Sequence, residues 1–418
     1  MSQPKTSLEC RINARGKREI VGLMCAVPFL LAAAAFAQMP TPLTGPGNAA
    51  VVNGRVEVDG QPFFPFGFFH VTHNGTEADL LNTLNLTSAA GFNTLVSGYL
   101  STINYGNYLD QAAQKGMKVV TEFGMSAATL TTLISNYASK TAVLGWNIAD
   151  DVDDGTKTHA QVQTLYNQAR AADPRHLTTA SGFRAPNEPG PSGVTIQTFY
   201  DVLQVAAIER YPITYTSVKN VYQAAQSTVD AAEAATPKPA ALVDVQSFNW
   251  QGANGTRFPT AAEGRNMTYL AIAAGAKGIW YYTFFDGSNY LPTGAPALWT
   301  ELQALVPEVN TLAPVLLKGD MTRVLVDVSG DRFASYWIYQ GRPYVIVVNT
   351  STTSAKSFSL PMPAGTSGPA RPLFSGRPSG MTFTNGVLGG TVQPLDVHVY
   401  VLNETMVPPA SATNLRVN

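Results

Sequence analysis

The chain has 418 residues, 45% of them hydrophobic and 13% charged, with a formal net charge of −1 at pH 7. A balance this even excludes a partner held through a run of phosphates, which requires clustered Lys and Arg. With 35 Gly and 28 Pro, the composition describes a large, well-buried globular protein with many loops, too long for one ordinary domain and suited to one large plus one small.

Residues 16–38, GKREIVGLMCAVPFLLAAAAFAQ, read as a secretory signal: Lys17 and Arg18 lead an apolar core, and the run Ala35-Phe36-Ala37 supplies the cleavage positions. The mature chain is expected to begin near Gln38. Losing the leader's five basic and two acidic side chains takes the formal charge to −4. The leader's apolar core is too short for a membrane span, and no later segment reaches the roughly 20 apolar residues that a span requires. A secreted or periplasmic product is therefore expected. Both cysteines, Cys10 and Cys25, lie in the leader, so the mature protein should hold no thiol, disulfide or Cys-ligated metal. Cys25 precedes most of the apolar core, whereas a lipidated cysteine would follow it.

From Pro62 onward, short β-rich runs alternate with helical patterns. The strands are predicted at 63–70, 92–99, 117–124, 143–150, 177–181, 202–209, 241–248 and 278–285. Between them lie segments such as YLDQAAQKG, AQVQTLYNQARAAD and AAEGRNMTYLAIAAGAKG, with apolar residues at helical spacing and Gly116 or Gly278 closing the helix. Eight βα units over about 255 residues predict a (β/α)8 TIM barrel of the α/β class. An open doubly wound sheet would carry fewer strands, and no Gly-rich dinucleotide loop follows the first strand. After residue 318 the pattern turns to strands alone, separated by Gly, Ser and Pro-rich turns, which predicts a C-terminal antiparallel β-sandwich over 319–403. The barrel is then expected over 38–318, and 404–418 reads as a linker or tail.

The run VLGWNIADDVDDG, residues 143–155, places four aspartates behind the fourth strand. Acid runs are usually solvated loops, but active sites of such barrels form at the C-terminal ends of the strands. By that criterion the candidates are His70, Glu122, Asp150, Asp151, Glu209, Gln246 and Asp286. Asp153 and Asp154 lie further on and are expected to cap the next helix or face water. Aromatic residues are interleaved with these acids: Tyr99, Trp146, Tyr211, Trp250, Trp280 and Tyr282 are candidate sugar platforms, since sugars combine apolar C–H faces with many hydroxyls. Any one of these rings could equally be core. Glu122 could be a barrel-mouth acceptor, Glu209 a salt-bridge partner of Arg210, and Asp286 a turn residue. With five His, no HExxH motif and no clustered Cys, neither a catalytic metal nor a cofactor is expected, although a carboxylate-bound Ca²⁺ stays open. No GxSxG elbow is present.

The segments VDGQPFFPFGFFH, VLGWNIADD, ADPRHL, IERYPI and RFPTAAEGRNMTYLAIAAGAKGIWYYTF, in that order, resemble the secreted (β/α)8 glycoside hydrolases of the large retaining clan that includes β-galactosidases and cellulases. The resemblance covers roughly residues 55 to 320 and implies a carbohydrate substrate. In that clan the fourth strand ends in Asn-Glu or Asp-Glu, whose Glu is the general acid/base; here Asp150 and Asp151 stand at those positions. The clan's nucleophile is a Glu ending strand seven, where this chain has Gln246, which cannot form the glycosyl ester. Three readings follow: an inverting enzyme with Glu209, Glu122 or Asp286 as second carboxylate, a different strand-seven register, or a barrel that binds glycans without cleaving them.

Overall fold

The computed structural model describes residues 45–71, 76–98, 103–122, 127–190, 192–250, 256–286 and 289–402. The leader with both cysteines, and Tyr99, lie outside the described residues. A short antiparallel lead-in (Ala49–Val52, Arg55–Val58, Gln61–Pro62) precedes the barrel. Eight parallel strands then close on themselves: β1 Phe66–Val71, β2 Thr94–Gly98, β3 Lys118–Glu122, β4 Val143–Asn147, β5 Leu177–Ala180, β6 Val205–Arg210, β7 Ala240–Gln246 and β8 Ile279–Tyr282. Five fall inside runs predicted from the sequence, and Phe66–Val71, Val205–Arg210 and Ala240–Gln246 each overrun theirs by one residue. Side chains alternate across the barrel wall, so Val96, Val120, Leu144, Leu177, Val205 and Leu242 fill the interior while their neighbours meet the helices.

The helices longer than a single turn are α1 Glu77–Ala89, α2 Tyr105–Gln114, α3 Ala127–Tyr137, α4 His159–Ala172, α5 Lys219–Ala234, α6 Ala261–Ala274 and α7 Pro296–Lys318. Thr76, Thr158 and Thr260 open α1, α4 and α6 with reciprocal capping boxes to Asp79, Gln161 and Glu263. The expected regularity of eight βα units fails at one crossover. Between β5 and β6 the Pro- and Gly-rich stretch RAPNEPGPSGV supports only a single 3₁₀ turn, Ile196–Phe199. Helix α6 also differs from its amphipathic reading: every residue from Glu263 to Ala274 is buried, and the helix ends at Gly275, in a left-handed conformation, rather than at Gly278.

The reason for that burial lies in the C-terminal part. A five-stranded antiparallel sheet, led by Asp320–Asp327, Arg332–Tyr339 and Arg342–Asn349, packs one face on α6 and α7 through Phe333, Trp337, Ile346 and Val348. Its other face meets a three-stranded sheet across Val345, Val347, Phe358, Leu360 and Leu388. Among the described residues no helix is long and apolar enough to cross a membrane.

Candidate active site

The C-terminal ends of the barrel strands open into a cleft of about 820 Å³, lined by His70, Asp150, Asp151, Glu209, Tyr211, Trp250, Tyr282 and Asp286 among the residues singled out from sequence. His70 stands on β1 where the register to β2 slips between Phe68 and Val71, and its backbone is left-handed at φ 50. Such a bulge re-aims a side chain at the rim of a barrel. It brings His70 Nδ1 to 2.9 Å from Oε2 of the buried Glu122, and Asn147 Nδ2 reaches Glu122 Oε1 at 3.4 Å. Burial alone would lower the imidazole pKa, but Glu122, with help from Asp150 and Asp286, outweighs it and lifts the pKa to about 9. The ligating atoms of His70, Glu122 and Asp150 lie within 4.8 Å of one another, a spacing that could hold a cation. At neutral pH the imidazolium already supplies positive charge there.

This pair makes stability depend on pH. A histidine whose folded pKa is raised stabilises the fold fully below about 6.5, and that contribution is lost as pH rises through about 9. The full shift corresponds to an effect on the order of 3 kcal/mol. Thermal melting between pH 6 and pH 10 should show a falling Tm. His70→Gln should flatten that slope while lowering Tm at pH 6, because Glu122 is left buried without its counter-charge.

Beyond β4 the chain stays tied to β5: Ile148 N–H donates to Thr179 O at 2.8 Å and Ser181 N–H to Ala149 O at 3.0 Å. This positions the Ser181 hydroxyl to donate to Asp150 Oδ1 at 2.6 Å. The next residue, Asp151, takes a left-handed conformation at φ 47 and stands exposed over the cleft at the head of the turn Val152–Asp154. Partial burial, then the Asp150 charge, raises its pKa. Gly182 fits between Asp151 and Glu209. A Cβ at this residue, itself at φ +70, would fall 2.4 Å from both N and Cα of Asp151, while its N–H donates to Glu209 Oε1 at 3.1 Å.

Glu209 is pushed well above the usual carboxylate range, by burial first and then by Asp244, Asp150 and Asp151. Its salt-bridge alternative does not hold, since Arg210 pairs with Glu188 at 2.7 Å. Asp286 accepts a short hydrogen bond from the Tyr282 hydroxyl and pairs with Asn289 in a two-residue hairpin. It follows β8, four strands from β4 in the closed order, so the chain segments that carry Asp286 and the Asp150–Asp151 pair leave the barrel from opposite strands. One wall is aromatic: Phe248 packs edge-on against Tyr211, Trp250 and Tyr282, with ring centroids 4.8 to 5.1 Å apart.

Four singled-out residues stand elsewhere. Trp146 points out of the barrel, fully buried, and its indole donates to Asp173 Oδ2 at 2.9 Å; it is core because position 146 faces the helices, not the lumen. Trp280 does face the lumen but lies below the mouth, buried and stacked on Phe69. Gln246 is buried and committed to its neighbours, accepting from Ile213 N–H at 2.8 Å and donating to Phe248 O at 3.2 Å. Glu122 forms the floor beneath His70 rather than the wall. Asp153, expected to cap a helix or face water, is buried and receives the N–H of Arg184 at 3.2 Å, while Thr158 caps α4; Asp154 is exposed as expected.

Sequence reasoning missed Asp244. It pairs in register with Glu209 and Trp280, is 0% exposed, and among the described residues neither carboxylate oxygen has a hydrogen-bond partner. Burial, then Asp150 and Glu122, drives its pKa well upward. The alternation of inward positions 240, 242, 244 and 246 in AALVDVQ carried that signal. Phe183, Arg184, Asn249 and Asn289 also line the cleft. The first three come from loops, and Asn289 from a two-residue strand, whose course no periodicity reveals.

No family model and no curated protein matches the sequence. The structure, however, is similar to solved structures. One is described as a glycoside hydrolase, at 13% identity and TM-score 0.61, covering 87% of this chain and 98% of that one. A family 5 glycoside hydrolase from Bacteroides vulgatus is 15% identical with TM-score 0.59, over 88% and 95% of the two chains. An α-amylase from Geobacillus thermoleovorans, complexed with acarbose, is 11% identical with TM-score 0.56, over 82% and 98%. At these identities the likeness is one of fold, a closed eight-stranded parallel barrel followed by antiparallel sheets.

Proposed function

We propose that the protein is a glycoside hydrolase that cleaves O-glycosidic bonds of a poly- or oligosaccharide in a single inverting displacement. The observation that carries this is the set of carboxyl groups, Asp150, Asp151, Glu209 and Asp286, facing an aromatic wall at the one barrel end where such chemistry resides. The fold-level likeness to glycoside hydrolases supports it. Asp151, whose pKa is raised, is the proton donor to the leaving oxygen. Asp150, held by Ser181, adds to the effect of burial in raising the Asp151 pKa. Asp286, carried from the opposite strand and oriented by Tyr282, takes the proton of the attacking water. Glu209, its pKa raised by burial, hydrogen-bonds a sugar hydroxyl, and His70 offers its charged ring to another. Gln246, an amide, cannot itself form a glycosyl-enzyme ester. The reading includes export, with residues 1–37 removed as a leader, a barrel to residue 318, a sandwich to 403 and a tail to 418.

A screen of neutral and acidic glycans with reducing-end detection tests this, followed by proton NMR of the first-formed anomer. Release of product with inverted configuration is expected; retention would return the second carboxylate to a nucleophile. One observation favours a second reading, a barrel that binds glycans without cleaving them: the residue where the clan's nucleophile would stand is an amide used to hold two loops together. Glycan binding with no reducing ends released would establish it.

A further inference from the structure

Next to the acidic cleft lies a second hollow of about 620 Å³, and the sandwich supplies one of its walls. Thr214, Thr216 and Ser217, from the loop after β6, face residues 350–353, a Thr-Ser-Thr-Thr run between two strands of the sandwich. Thr214, Thr216, Thr352 and Thr353 are exposed, so their hydroxyls are offered to solvent. The two cations of the lining are already neutralised: Arg257 forks onto Glu263 with both bonds at 2.7 Å, and Lys219 meets Asp331 at 3.0 Å. A groove of this make-up suits a ligand rich in hydroxyls and carrying no charge.

The ridge between the two hollows is built with strain. Thr214 is held at φ 90, a conformation that a β-branched residue rarely adopts. The turn is closed by Tyr215 and Thr216 N–H groups donating to Pro212 O at 3.0 and 2.8 Å. Its product is the placement of Tyr215, 63% exposed, edge-on to Trp250 with centroids 5.6 Å apart. Trp250 lines the acidic cleft and Thr214 and Thr216 line the second hollow, so Tyr215 stands where a chain leaving one would enter the other.

We propose that the second hollow continues the cleft and takes the distal units of a long neutral glycan, with Tyr215 as the stacking platform at the crossing. The assignment rests on the carbohydrate reading above but not on catalysis. It makes the sandwich a substrate-binding wall and the enzyme one that acts on polymers.

The test uses the full chain and gluco-, manno-, xylo- and galacto-oligosaccharides of two to six units. Affinity is measured by calorimetry and cleavage separately by kcat/KM. Tyr215→Ala should weaken binding of, and kcat/KM for, five- and six-unit chains about tenfold more than for the two-unit chain, the scale of one lost stacking contact. Tyr215→Phe should restore most of it. Thr352→Glu, on the opposite wall, should give the same length dependence. Binding that strengthens with chain length in the absence of cleavage would overturn the catalytic reading and support the groove, provided Tyr215→Ala removes the gain. Cleavage with a Tyr215→Ala effect that is equal at all lengths, or absent, would overturn the groove and leave catalysis standing. A wild-type protein that neither binds nor cleaves any of these chains would overturn both.

Discussion

Asp151→Asn should lower turnover of the natural glycan by about 10² to 10⁴-fold, with a far smaller loss on a nitrophenyl glycoside of the same sugar. An activated phenol departs without protonation and a sugar alkoxide does not, so only the natural glycan fully registers a missing acid. Asp286→Asn should behave differently. As the base acting on water, it serves both substrates, and its loss should cost a similar factor on each. Glu209→Gln provides the third arm: burial beside Asp244 raises the pKa of this carboxyl, and in a hydrogen-bonding role an amide of the same shape should cost about tenfold or less. Steady-state kinetics of the three variants on both substrates distinguish the roles. Leaving-group dependence appearing in Glu209→Gln instead of Asp151→Asn would move the proton donor from β4 to β6.

Gly182→Ala should reduce kcat/KM by about 10²-fold without touching any ionisable group. The added methyl would meet the Asp151 backbone at 2.4 Å, and the position is left-handed at φ +70. Neither can be relieved without moving the turn that carries Asp151 or the N–H that holds Glu209. Misplacing a catalytic group by about 1 Å typically costs a factor of this size. The loss should be larger on the natural glycan than on the nitrophenyl glycoside, because the displaced turn carries the proton donor. Activity within threefold of wild type would show that the Asp151 turn is free to adjust and does not need its present position.

The barrel was legible because hydrophobic alternation and length are local: all eight strands coincide, to within one residue at an end, with stretches such as MKVVTEFG and ALVDVQSF. The cleft was partly legible through a positional rule, that a polar residue just past an apolar run faces the mouth, and this located His70, Asp150, Asp151, Glu209 and Asp286. The rule fails where inward and outward positions must be told apart. Trp146 and Gln246 both end strands, yet one faces the helices and the other is consumed by neighbouring backbone. It also fails for Asp244, which a search for strand ends passes over because it stands one layer down. The missing crossover helix after β5 was written in its prolines and glycines, whereas the burial of α6 on all sides depends on strands that begin nearly fifty residues later.

That burial has a consequence for how the chain could be divided. Arg265 pairs with Glu308 on α7, and Asn266 donates to the carbonyls of Asn349 and Leu395 on the sandwich side. One helix thus serves as outer cladding for the barrel and as the floor on which the sandwich rests. A cut at the boundary between the two would strip the cladding bare, leaving an apolar, arginine-bearing face in water. The barrel is therefore not a transplantable cassette: swapping its C-terminal part for another requires redesigning α6 as well, and homologous recombination at residue 318 would preserve both sequences while destroying the surface that joins them.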